Sequence, residues 1–457
     1  MIYLEDIVRS TGAQLIQKGT CERLSVVATD SRTAKKGSVF FALQGPRFDG
    51  HDFIHQAIAR GARAVVISKN IPQIKNNPSI SFIKVKDTTI ALGDLARFNR
   101  STFNIPFIAV TGSSGKTTTK EIIARVLSQK YHVLKSAGTH NNNIGLPLTL
   151  FRLEQNHSLC IAELGTNHFG EITYLSKILQ PNVGVITNIG SSHLAFLKNE
   201  KGVLREKKSL IRFLTRPKIV FLNRDDAHLR AVKVPNSVNV FYFSIHESSD
   251  LRASDISLSH NRTYFTLNKK HSFSLNTVGR FNVYNAIAAI GCGLIFGISI
   301  KKIRGALEDF VFPDQRLQHI ECAHFNILDD TYNSNPFSLQ QAIRSLSEYK
   351  TPGRRIVVMG DMLELGEHSL ALHKKMGMFI AQQPIDVLVT FGEFSKVCAQ
   401  AVRQHVKGDC TIVTCDSKDD VIAFLKRHIR TGDTLLIKGS RLLKMEDITT
   451  SLENHAL

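Results

Sequence analysis

Uninterrupted apolar runs alternate along the chain with longer stretches in which apolar positions recur at helical spacing. A short run without polar interruption predicts a strand covered on both faces, and its alternation with helices predicts a parallel sheet between two helical layers. Three blocks of this kind are visible. In the first, the strand-like Ser38-Val39-Phe40-Phe41-Ala42-Leu43 is followed by RFDGHDF, a helix-like HQAIARGA and the strand-like Ala64-Val65-Val66-Ile67. This small α/β unit ends near Pro106. In the second, strand-like runs at 107–110, 159–162 and 183–187 are separated by helical segments such as 120–129. The third begins near Pro313, with strand-like runs at 325–328, 355–359, 387–390 and 434–437, and resembles another doubly wound unit. The expectation is an α/β chain of three domains, 1–105, 106–314 and 315–457, which agrees with what 457 residues suggest.

The second block opens with VTGSSGKTTTKE, residues 110–121, where an apolar run ends and a helix begins. Glycines there let backbone N–H groups converge on an anion at a helix N-terminus. Gly112, Ser113, Ser114, Gly115, Lys116, Thr117 and Thr118 therefore read as a phosphate cradle. Lys116 would reach the terminal phosphates and Thr117 would offer a hydroxyl to Mg²⁺. The spacing is a variant of the G-x-x-x-x-G-K-[ST] pattern, since Val110 stands five residues before Gly115. A plain turn has similar composition, but strand, lysine and threonines together favour a nucleoside triphosphate.

Other polar residues also sit where apolar runs end. Glu163 follows Leu159-Cys160-Ile161-Ala162, at the strand end where open α/β sheets bind ligands, and a hard cation beside phosphates wants such an oxygen. The bland reading is a solvated loop glutamate. His193 follows a similar run in NIGSSHLAF, and a lone histidine is more often polar filling than a ligand. Lys207, in LREKKSL, carries no signal of its own. THNNNIGLPLTL, LDDTYNSNP and KGSRLLKME place amides, carboxylates and basic groups on loops, where turns explain them equally well.

Composition narrows the class. With 43% hydrophobic and 21% charged residues the chain reads as globular. Its longest weakly polar run, 286–300, is too short to span a bilayer, and MIYLEDIVRS is not a signal peptide, so a cytoplasmic protein is expected. Seven cysteines without C-x-x-C spacing argue against a disulfide framework and a zinc site. The formal charge of +19 suits nucleic acid, an anionic membrane surface or anionic small substrates, but its lysines and arginines are dispersed. A basic NTPase that binds nucleic acid is the rival reading from another class.

Taken in order, TDSR (29–32), GSVFFALQGPRFDGHDF (37–53), VTGSSGKTTTKE, NNIGLPLTL, AELGTNHFGEI, DDTYNSNP, VMGDMLELG and KGSRLLKME resemble the Mur ligases of peptidoglycan synthesis over nearly the whole chain. The last four favour the members that add D-alanyl-D-alanine to UDP-N-acetylmuramoyl-tripeptide. Ligases adding the third residue, or folylpolyglutamate-synthase-like enzymes, are the near alternatives. The resemblance implies an N-terminal UDP-substrate domain, a central P-loop ATPase domain and a Rossmann-like C-terminal domain, with ATP and Mg²⁺ as cofactors and an acyl-phosphate intermediate. It further implies no nucleic-acid partner, no stable membrane insertion and a monomer serving cell-wall synthesis, cell shape and division. Carried over residue by residue, Glu163, His193 and Thr117 match the metal-site positions and Lys207 a carbamylated lysine. Asn282 matches an adenine contact, Arg316 and Asp330 contacts to ribose or phosphate, and Asn141 and Asn142 the loop near the muramoyl substrate. Ser31, Arg32 and Arg47 fall at UDP positions. The chain departs from the family pattern at Thr139, Ser209, Phe281 and Gln315, where Asn, an acidic residue, His and Gly are common.

Overall fold

The computed structural model describes residues 2–71, 77–259 and 261–456, arranged around three large sheets. The first sheet orders the strands Gln14–Gln17, Ser81–Lys84, Ala64–Ile67, Val39–Phe41 and Val27–Ala28, all parallel except the first. Ala64–Ile67 and Val39–Phe41 are wholly buried, as their unbroken apolar sequences require.

The second sheet has nine strands. At its middle Phe107–Thr111 lies between Leu159–Glu163 and Val183–Ile186, parallel to both. The chain leaves Phe107–Thr111 in one direction and returns on its other side, so a crevice opens beyond the carboxyl end of that strand. The helix Phe281–Ile295 packs on the helix Lys116–Leu127 over one face of this sheet. Ile287 and Ile290 are fully buried there, each contributing roughly 1.5–3 kcal/mol relative to exposure. The apolar run 286–300 thus begins in a core helix, and no described helix is long and apolar enough to cross a membrane.

The expectation of a parallel sheet in this block is corrected at one end. Leu251–Ser259, Arg262–Leu267 and His271–Leu275 form an antiparallel meander that extends the sheet. Their sequences alternate apolar with polar residues because one face is covered, by Phe281–Ile295 and Ile300–Glu308 among others, while the other meets water. Asn268 and Lys269, both in the left-handed region (φ 48° and 55°), make one of the turns.

The third sheet orders Gln318–Glu321, Asn326–Asp329, Thr434–Lys438, Arg355–Gly360, Val387–Phe391 and Thr411–Cys415, parallel except for the first. The first unit is tied to the second through the helix Thr88–Ser101. Asn99 Nδ2 donates to the Leu150 carbonyl (2.9 Å) and Arg100 Nε to the Leu179 carbonyl (2.7 Å).

Candidate active site

The loop after Phe107–Thr111 is shaped by its two glycines. Gly112 has φ 152°, and a Cβ there would lie 1.9 Å from Thr187 Oγ1. Gly115 has φ 80° and starts the helix Lys116–Leu127 with its backbone against Asn285. Residues from the neighbouring strand end fix the turn between them. Ser114 N donates to Asn188 Oδ1 (2.9 Å), Asn188 Nδ2 donates to the Ser114 carbonyl (3.0 Å), and Ser113 N donates to the Asn188 carbonyl (3.0 Å). Lys116 folds back so that Nζ donates to the Gly112 carbonyl (2.8 Å). Burial lowers its pKa; Glu163 opposes that shift and the Arg316 charge adds to it.

Glu163 lies at the carboxyl end of its strand, 1% exposed. Its Oε2 accepts from Thr117 Oγ1 (2.7 Å) and its Oε1 from Asn141 Nδ2 (2.8 Å), while Arg316 Nη2 donates to Thr117 Oγ1 (3.1 Å). Four residues remote in sequence are therefore in one hydrogen-bonded chain. Lys207 is also buried, and its amine is held well below its ordinary pKa by desolvation and then by Lys116, against Glu206 and Glu163. Among the described residues no three His, Cys, Asp or Glu side chains are grouped to hold a metal. The Thr117 hydroxyl and Glu163 carboxylate nevertheless fit Mg²⁺, a hard cation bound through one or two carboxylates together with water and substrate phosphates.

A cavity of about 280 Å³ joins this cluster to the third unit. The second unit contributes residues 113–118, Glu163, His193, Phe281, Tyr284 and Asn285, and the third contributes Arg316, Asp330, Tyr332, Asn333, Phe337 and Lys438. Arg316 lies 4.0 Å from the centre of the Tyr332 ring, and its neighbours Gln315 and Leu317 both have positive φ (61° and 54°). The first of these is a conformation that glycine adopts without strain. Lys438, 2% exposed, donates to Asp330 Oδ2 (2.5 Å) and the Asn333 carbonyl (2.7 Å), while Asp330 Oδ1 accepts from Leu317 N (3.1 Å). The basic segment beginning at Lys438 thus serves a carboxylate inside the molecule. His193 joins the cavity wall with Nδ1 2.6 Å from Glu364 Oε2.

Asn282 is not on that wall. Its Nδ2 donates to Thr277 Oγ1 and the Val278 carbonyl (both 3.3 Å), its Oδ1 accepts from Asn285 Nδ2 (3.1 Å), and it is Asn285 that faces the cavity. In the 328–336 stretch, Asp329 is buried and accepts from Thr331 Oγ1 (2.6 Å), and Asn335 caps the helix Pro336–Glu348. Those two groups build the turn; Asn335 also reaches the cavity wall.

A second cavity of about 590 Å³ continues from the first, sharing Asn141, Gly165, Thr166 and Asn167, and reaches Thr89 and Ile90 of the first unit. Asn142 lines it, with Oδ1 accepting from Ile144 N (3.1 Å) and Gly145 N (2.8 Å). Within the first unit a cavity of about 450 Å³ is lined by Ser31, Arg32, Phe48, Phe53 and Gln56, among others. Ser31 Oγ donates to Gln56 Oε1 (2.6 Å), Arg32 is paired with Asp30, and Arg47 is exposed outside the lining. Neither Asn285 nor Tyr284 is singled out by the sequence, and Tyr332, Lys438 and Glu364 are reached only as members of DDTYNSNP, KGSRLLKME and VMGDMLELG. Asn285 lies three residues beyond Asn282 on the same helix, and spacing alone does not separate the two.

Three family models match the chain: Mur ligase family, catalytic domain, over residues 23–100; Mur ligase middle domain over 110–293; and Mur ligase, glutamate ligase domain over 315–441. Among relatives, the UDP-N-acetylmuramoyl-tripeptide–D-alanyl-D-alanine ligase of Bacillus subtilis is 34% identical over 93% of this chain and 92% of its own length. The ligase of the same name from Haemophilus influenzae is 35% identical over 94% and 93%. Among solved structures, MurF of Acinetobacter baumannii superposes with a TM-score of 0.91 at 31% identity, covering 99% of this chain and 98% of its own. MurF of Thermotoga maritima, solved in complex with ADP, gives 0.85 at 27% identity, covering 94% and 97%.

Proposed function

Because the chain belongs to the Mur ligase family, we propose that it uses ATP to join D-alanyl-D-alanine to UDP-N-acetylmuramoyl-tripeptide, forming the UDP-linked pentapeptide used in peptidoglycan synthesis. The observation that carries this reading is one cavity where the phosphate loop faces Arg316, Asp330 and Lys438 of the third unit. The continuous second cavity leads from it toward the first unit, which offers the UDP-linked acceptor a path.

In the proposed reaction the acceptor's terminal carboxylate attacks the γ-phosphorus of ATP and ADP leaves, giving an acyl phosphate. The dipeptide amine then adds to the acyl carbon, and the tetrahedral intermediate collapses with loss of phosphate. The first step brings anion to anion, so the protein must neutralise charge where it develops. Lys116 and the backbone N–H groups of 112–118 do so at the phosphates, with Arg316 beside them. Asp330, held by Lys438, faces the nucleotide, and Asn285 supplies the amide of the base end while Asn282 braces it. Asn141 and Asn142 face the muramoyl end of the acceptor, and Ser31, Arg32 and Arg47 belong to the UDP end.

Thr117, Glu163, His193 and a carbamylated Lys207 would hold Mg²⁺, which supplies electrostatic stabilisation of the transferring phosphoryl group. A neutral buried amine is the form that adds to CO₂, so the depressed pKa of Lys207 suits it to that modification. Domain boundaries at 1–105, 106–314 and 315–457, a monomeric state and a cytoplasmic location complete the proposal.

Phosphate release from ATP, followed with product mass, tests it. The expected result is release that depends on both UDP-muramoyl-tripeptide and D-alanyl-D-alanine, with a UDP-pentapeptide product. Release only with a UDP-dipeptide acceptor and a free amino acid would reassign the chain to the third-residue ligases.

A further inference from the structure

His193 and Glu364 meet where the second and third units touch, with Nδ1 2.6 Å from Oε2. Both residues have left-handed backbone, φ 53° and 62°, a conformation that non-glycine residues adopt mainly where surrounding contacts impose it. Contacts between the two units impose it here. Ala195 N donates to the Glu364 carbonyl (3.1 Å), and His368 Nε2 lies 3.0 Å from the Lys198 carbonyl. Gly366 packs so closely that a Cβ there would be 3.0 Å from Ala195 Cα. The 364–368 turn thus clasps the 193–198 segment.

This clasp decides what the imidazole can do. With Nδ1 engaged by a carboxylate, the neutral ring carries its proton on Nδ1 and leaves the Nε2 lone pair free. Nε2 has no hydrogen-bond partner among the described residues, and His193 lines the cavity of the phosphate loop. We infer that Glu364 is a positioning residue for the reaction: it fixes the tautomer and orientation of His193 toward the ion and phosphates in the cavity. Because Glu364 is carried by the third unit, His193 is set only when that unit is docked on the second. The inference rests on the metal-dependent reaction proposed above.

Mn²⁺ binding in the presence of ADP tests it, with free Mn²⁺ counted by electron paramagnetic resonance on the full chain. Glu364→Ala is expected to weaken binding about 10- to 100-fold, the usual effect of removing a carboxylate behind a ligating histidine. Glu364→Gln, whose Oε1 still accepts from Nδ1–H, should recover most of the affinity. Adding Glu364→Ala to His193→Ala should weaken binding no further than His193→Ala alone. In the ligand-free protein, ¹⁵N shifts of the His193 ring should report the Nδ1–H tautomer, and Glu364→Ala should yield a tautomer mixture.

Weakened binding in His193→Ala beside wild-type binding in Glu364→Ala would overturn the inference alone. So would an equal loss from Glu364→Ala in the His193→Ala background, which would make Glu364 a docking contact. Wild-type binding by His193→Ala would overturn the metal role of His193, and this inference with it.

Discussion

Lys116 and Lys207 are both amines whose charge burial disfavours, yet Lys116 keeps a carbonyl partner in Gly112 while no carboxylate among the described residues pairs with Lys207. Lys116 is placed to meet phosphate charge. Lys116→Ala is therefore expected to reduce kcat by about 10²–10³-fold, the range typical of losing one transition-state donor, with affinity for the UDP-linked acceptor unchanged. Equal loss of acceptor affinity, read by calorimetry, would sink that division of labour. Lys207 instead weakens the fold near neutral pH. Since the folded chain holds its amine below the ordinary value, the unfolded chain binds more protons, and stability rises with pH from the depressed value up to about 10.4. In CO₂-free buffer Lys207→Met should remove that component of the slope and melt no lower than wild type at neutral pH; in bicarbonate-containing buffer, where wild type is active, it should lose ligation. A lower melting temperature together with retained activity would contradict both roles.

At the scale of elements, the phosphate loop was legible because its whole signal is local: a strand end, two glycines, a lysine and threonines on one short stretch. The same economy makes it brittle. Gly112→Ala must displace Thr187 Oγ1, which itself donates to the Ser114 carbonyl (2.6 Å), so nucleotide affinity should fall at least about tenfold while acceptor binding persists. Titration with a fluorescent ATP analogue would show it, and wild-type affinity would mean the loop can relax. The runs at 107–110, 159–162 and 183–187 were also legible, since strands buried on both faces cannot hide their composition. The antiparallel meander from Leu251 was not, because alternation marks strands with one wet face but does not say that they extend an otherwise parallel sheet, which its edge decides. Nor could spacing distinguish Asn282 from Asn285. They stand three residues apart, about 60° around a helix, and only the packing decides which one looks into the cavity.

Across the whole molecule, the cavity exists because contacts far apart in sequence hold the third unit on the second. Tyr332 OH donates to Thr139 Oγ1 (3.0 Å), Arg316 reaches Thr117, Arg280 pairs with Glu348, and Glu364 meets His193. No local pattern announces such pairs: DDTYNSNP, VMGDMLELG and KGSRLLKME contain Tyr332, Glu364 and Lys438, but the groups they meet emerge only from the fold. The charge of +19 also acts at this scale, as a general attraction for polyanions. Such attraction is unspecific and screened at moderate salt, whereas the acceptor brings the carboxylate that reacts, so ATP turnover should be stimulated by the UDP-linked acceptor and unaffected by DNA or RNA there; stimulation by nucleic acid alone would revive the rival reading. The most direct measurement is the fate of the acceptor's carboxylate oxygen. With both oxygens of the terminal carboxylate of the UDP-muramoyl-tripeptide labelled with ¹⁸O, the acyl-phosphate route delivers one ¹⁸O to each phosphate released during dipeptide-dependent turnover. Phosphate carrying no ¹⁸O would contradict it.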